Sequence, residues 1–216
     1  MRHDLVYLIH KALRTLASEI LVNFQQTDFT DKIQVEVLFQ DLKMLESLYH
    51  GHAEIENTMI LSELEKKGID VSKYKDDHAE DDLLGHLLLD KITAFEDASN
   101  DHKQKAWSEL FQSLISFVSF NFSHMQKEET ELNQILWSEL SDAELLAIEQ
   151  KVVMNTPPDK MMNYMVWFLK ALSNKDLIKW LGSVKKSAPE PVFQNIVLLG
   201  IKHVPAERWS VIYSAL

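Results

Sequence analysis

The chain has 216 residues, 46% of them hydrophobic, enough for one large domain or a domain with an appendage. A formal net charge of −11 with no sustained Lys/Arg stripe argues against nucleic acid and membrane surfaces as partners. Cysteine is absent, which removes disulfides, thiolate metal sites and cysteine nucleophiles, and which fits a reducing cytoplasm.

With five glycines, five prolines and few β-branched runs, the composition predicts an all-α protein. The first helix is expected over residues 3–24, with Val6, Leu13, Ala17 and Ile20 on one face and His10 inside that face. A polar link, residues 25–31, leads to a second helix over 32–67, whose stripe is Leu38, Leu42, Leu45, Tyr49, His52, Glu56 and Met59. Gly68-Ile69-Asp70 stops it, and Ser72 is the expected N-cap of a third helix over 73–98. There Tyr74, His78, Asp82, Gly85, Leu88 or Leu89, and Ile92 line up. The fourth helix, over 102–139, turns Leu110, Leu114, Phe117, Asn121, His124, Glu128 and Ile135 inward.

Four long amphipathic helices with short links predict an up-down-up-down four-helix bundle over residues 1–140. A C-terminal helical extension, 141–216, is expected to follow and to pack on the bundle. Ser141 and Glu144 form a capping box, Pro157, Pro158, Pro189, Pro191 and Pro205 punctuate several short helices, and Trp167, Trp180 and Trp209 imply that they are packed. No signal peptide is legible, and the longest run free of charge and histidine, 110–123, is too short to cross a bilayer.

His52/Glu56 and His124/Glu128 are each four residues apart, about 6 Å of rise and about 40° of rotation, so imidazole and carboxylate share a face. His10 and His78, with Asp82 one turn later, bring an imidazole from every bundle helix. Burying three carboxylates without compensation would cost several kcal/mol each, and a pair of cations removes that cost. Imidazole with carboxylate and no thiolate suits iron, with manganese or zinc as substitutes. His86 competes with His78, but lies about 12 Å further along the helix and about 80° around, so both cannot serve one metal.

This pattern resembles the hemerythrin-like, HHE cation-binding family: a lone first-helix histidine (His10), His-x-x-x-Glu on the second helix (His52, Glu56), a third-helix histidine (His78), and His-x-x-x-Glu-Glu on the fourth (His124, Glu128, Glu129). The resemblance implies two non-haem iron ions with an oxo or hydroxo bridge. In it His10, His52, His78 and His124 are terminal ligands, Glu56 and Glu128 bridge, and dioxygen or another small oxidant is the partner. Oxygen-carrying members have a second third-helix histidine where this chain has Asp82. If Asp82 binds, the shell is harder and favours ferric iron; if it does not, one iron keeps a labile water position. The run 164–169, then 172–176 and Ala188-Pro189, resembles the extension after the hemerythrin-like domains of plant iron-sensing ubiquitin ligases.

The expected function is therefore a di-iron protein that senses or handles iron and dioxygen, more a sensor than an enzyme. One alternative is a di-iron redox enzyme acting on peroxide or nitric oxide, and another a metal-free helical interaction module. No Glu-x-x-His, Gly-x-Ser-x-Gly or phosphate-cradling loop occurs, which disfavours ferritin-type, hydrolase and nucleotide chemistry.

Overall fold

The computed structural model describes residues 2–216, and every regular element among them is helical. By its packing the chain divides into two compact units: residues up to Val6 with Leu16–Asn155, and Tyr7–Thr15 with Thr156–Leu216. The division expected at 140/141 falls at 155/156, because helix Asp142–Asn155 sends Leu145 and Ile148 into a cluster with Ile60, Leu64 and Leu136.

Helix α1 (Tyr7–Gln26) enters both units. In the first unit it is followed by α2, which starts at Lys32 after an Asp31 cap accepting from the backbone N–H of Ile33 and Gln34. α2 is continuous through an α-helix Lys32–Ile55, a π-turn Glu56–Leu61 and an α-helix Ser62–Lys66. It ends in a Schellman motif: Gly68, at φ +81°, donates to Glu65 O at 2.9 Å, and Ile69 donates to Leu64 O at 3.1 Å. α3 (Ser72–Asp97) begins one residue earlier than expected, at the expected cap itself: Ser72 is already helical, and Asp70 Oδ1 accepts its N–H at 2.9 Å. α4 likewise runs through an α-helix Lys103–Lys127, a π-turn Glu128–Leu132 and an α-helix Asn133–Glu139. α5 (Asp142–Asn155) opens on the expected capping box: Glu144 N–H reaches Ser141 Oγ at 3.3 Å, and Ser141 N–H reaches Glu144 Oε2 at 2.7 Å.

Two apolar layers bracket the middle of this unit. One is aromatic, with Phe24 on Trp107 (4.4 Å between centroids), Phe95 on Trp107 (5.2 Å) and Phe39 on Phe95 (5.5 Å). The other is aliphatic and gathers Ile60, Leu61, Leu64, Val71, Leu132, Leu136 and Leu140 around Tyr74. α2 and α4 meet the aromatic layer first along the chain and the aliphatic layer last, whereas α3 meets them in the reverse order. Along α2, α3 and α4 the buried His52, Glu56, His78, Asp81, Asn121, His124 and Glu128 fall between the two.

The second unit joins Tyr7–Thr15 of α1 to α6 (Pro158–Ala171), α7 (Asn174–Ser187), α8 (Glu190–His203) and α9 (Ala206–Ser214). Its core packs Leu169, Leu177, Leu181, Phe193, Ile196 and Trp209 together with Leu8, and Lys11 Nζ pairs with Asp176 at 2.7 Å. The tryptophans are packed as expected: Trp167 and Trp209 are each 7% exposed, and Trp180 meets Phe168 edge-on at 5.3 Å. Gly200 lies under the Trp209 indole, and a Cβ there would overlap the ring. Gly200→Ala should therefore cost about 1–3 kcal/mol by overpacking. Gly182→Ala, in open space on a helix, should be neutral or gain about 0.5–1 kcal/mol. Thermal melts of the two variants check the contrast, and equal behaviour would contradict it.

Candidate metal centre

Three helices of the first unit supply the centre. Both glutamates occupy the first position of a π-turn, Glu56 in α2 and Glu128 in α4, and both are 0% exposed. An i→i+5 turn holds more residues per turn than an α-turn, so successive side chains diverge less, and such turns recur at functional sites. Each turn also moves the later register by one residue. The expected stripe members Met59 and Ile135 are only partly buried, while Ile60, Leu64, Leu132 and Leu136 take the core.

The carboxylates lie between imidazoles. Glu56 presents Oε1 to His52 Nε2 at 3.4 Å and Oε2 to His78 Nε2 at 3.1 Å. Glu128 Oε1 faces both His78 Nε2 at 3.4 Å and His124 Nε2 at 3.2 Å. The rings of His78 and His124 meet edge-on, 4.8 Å between centroids. One ligand atom from each of Glu56, His78, His124 and Glu128 lies within 4.8 Å of the others, and His52, Glu56 and Glu128 are equally close among themselves. Nitrogen and oxygen donors, buried and converging, fit a cation such as iron, manganese or zinc.

Burial alone would push the His78 imidazole down, but the Glu128 and Glu56 carboxylates outweigh it and raise its pKa to about 10. His124 is raised against the same burial penalty, chiefly by Glu128. The outward ring nitrogens also have neighbours. Asn57 Oδ1 lies 2.8 Å from His78 Nδ1, and Asp77 Oδ2, itself held by Lys127 Nζ at 2.6 Å, is 3.5 Å from His124 Nδ1. A cavity of about 110 Å³, lined by Asp77, Phe120, Ser123 and Lys127, opens beside His124. Three residues after His78, Asp81 is 3% exposed and accepts from Asn121 Nδ2 at 2.6 Å; burial holds its carboxyl above the usual carboxylate range.

Of the residues expected at the site, the fold brings together His52, Glu56, His78, His124 and Glu128. His10 is fully buried on α1, in the stretch that packs with the second unit. Asp82 does not join the cluster. Its side chain is 44% exposed and lies between His50 Nδ1 at 3.0 Å and His86 Nδ1 at 3.5 Å. His86, at 64% exposure, donates Nδ1–H to the Asp82 carbonyl at 2.8 Å and is likewise outside. Asn57, Asp77 and Asp81 are the neighbours that sequence reasoning missed. Asp81 alone left a signal, its angular position on α3; Asn57 and Asp77 meet the centre only through packing between helices. No family model, curated protein or solved structure matches the chain.

Proposed function

We propose that this chain is a hemerythrin-like protein: an up-down-up-down four-helix bundle holding two non-haem iron ions, which senses or handles iron and dioxygen or a related small oxidant. The observation that carries the reading is Glu56 turning its two oxygens to histidines on different helices, as a carboxylate bridging two metals must. The reversed order of apolar layers along α3 relative to α2 and α4 supports the bundle.

In this reading His10, His52, His78 and His124 would be the terminal ligands, and Glu56 and Glu128 would supply the shared carboxylates. A bound iron pair supplies reversible one-electron chemistry and open coordination positions for a small ligand. The chain orients four imidazoles and excludes bulk water, and its outward shell tunes donor strength. With Asp82 directed to His50 and His86, the donor set is four imidazoles and two carboxylates, without the third carboxylate that would harden it. Manganese and zinc suit the same donors.

Metal content per chain, measured by mass spectrometry on protein grown with iron, tests the proposal. About two irons are expected in the wild type and few in a Glu56→Ala, Glu128→Ala variant. No metal above background in the wild type would overturn it.

A further inference from the structure

His78 meets both buried carboxylates, and both of its ring nitrogens have partners. Nε2 points at Glu56 Oε2 (3.1 Å) and Glu128 Oε1 (3.4 Å), while Nδ1 lies 2.8 Å from Asn57 Oδ1. Glu56 and Asn57 are consecutive residues of α2 that hold opposite sides of one ring. In an α-helix successive side chains diverge by about 100°. Inside the π-turn Glu56–Leu61 they diverge less, and both reach α3.

We propose that Asn57 is a positioning residue of the centre: its side-chain oxygen takes the Nδ1 proton of His78 and so commits Nε2 to the metal. The inference rests on the metal-binding reading above. An amide oxygen can only accept, so a ring facing it must carry a proton on Nδ1; in the neutral ring that would ligate a metal, this leaves the lone pair on Nε2, on the side of the glutamates. The π-turn thus has a purpose beyond burying Glu56: it lets one helix supply a carboxylate to the metal side of His78 and an acceptor to the far side. Such outer partners fix tautomer and ring orientation, and their loss weakens metal binding about 10–100-fold.

The experiment is a competition titration of the metal-free full chain with zinc against a chromophoric chelator. It compares wild type, Asn57→Leu and Asn57→Asp, and is paired with nitrogen-15 spectra of the histidine rings in the zinc-loaded proteins. Asn57→Leu should bind about 10–100-fold more weakly. Asn57→Asp, which keeps an acceptor, should match or exceed the wild type. A slowly exchanging proton on His78 Nδ1 should be present in wild type and Asn57→Asp and absent in Asn57→Leu. Should the leucine variant fail to fold, Asn57→Ala makes the same comparison without added volume. Equal affinity in wild type and Asn57→Leu, or an unchanged Nδ1 proton, overturns the role of Asn57 and leaves the metal centre standing. A wild type that takes up no metal overturns both.

Discussion

Metal-free protein given a large excess of ferrous iron without oxygen should melt about 8–16 °C higher, and a Glu56→Gln, Glu128→Gln variant should show almost none of that gain. The size follows from linkage. A ligand at about 1,000 times its dissociation constant, bound only by the folded state, adds about 4 kcal/mol. For a chain of this length each kcal/mol moves the midpoint by about 2–4 °C. The selectivity follows from the geometry: the two glutamates are 0% exposed and each faces two histidines, so glutamine keeps the volume but removes both anionic donors at once. The shift belongs to the unit that carries Glu56 and Glu128, and is read on the transition assigned to it. An equal rise in both proteins would locate iron binding elsewhere, and no rise in the wild type would remove the metal reading.

The helices and most of the centre were legible because one physical signal governs both. A buried face must be apolar, so histidines and glutamates interrupting that face stand out. His52, Glu56, His78, His124 and Glu128 were found in this way, and all five are buried together. Asp82 departs from the expectation because its angular position lies off the buried stripe. Relative to His78, the buried Gly85, Leu88 and Ile92 sit at about −20°, −80° and −40°, which brackets Asp81 at about −60° and leaves Asp82 at about +40° on the flank. Spacing by four groups Asp82 with His78, whereas burial on α3 follows the mean direction of the stripe.

The π-turns left no local trace. Neither Glu56–Leu61 nor Glu128–Leu132 contains glycine or proline, and helix propensity does not separate an i→i+4 from an i→i+5 turn. Their only sequence shadow is a slip of one residue in the apolar stripe, from the expected Met59 and Ile135 to Ile60 and Leu136. That slip is set by packing: Ile60, Leu64, Leu132 and Leu136 fill the aliphatic layer only if each helix gains a residue beyond its glutamate. The division at 155/156 was hidden for a similar reason. Capping at Ser141 marks where α5 begins, but says nothing about which core receives Leu145 and Ile148.

His78→Leu should destabilise the metal-free protein by about 3–5 kcal/mol, the usual cost of removing one partner from a buried charge pair. His78 contacts both glutamates, and without it each of these fully buried carboxylates loses an imidazole partner. Leucine fills the space but offers no donor, and Asn57 loses its partner as well. The dependence on pH distinguishes a lost charge from a packing fault. Because the folded imidazole titrates at about 10 against 6.5 for the free group, the folded state holds a proton that the unfolded chain releases. Its contribution is complete below 6.5, declines as pH rises from there, and is gone above about 10. Urea unfolding in the presence of chelator, at about pH 6 and about pH 10, should show the wild-type advantage shrinking at the alkaline end. A penalty for His78→Leu that is the same at both pH values would mean that shape, and not charge, holds His78 between the two glutamates.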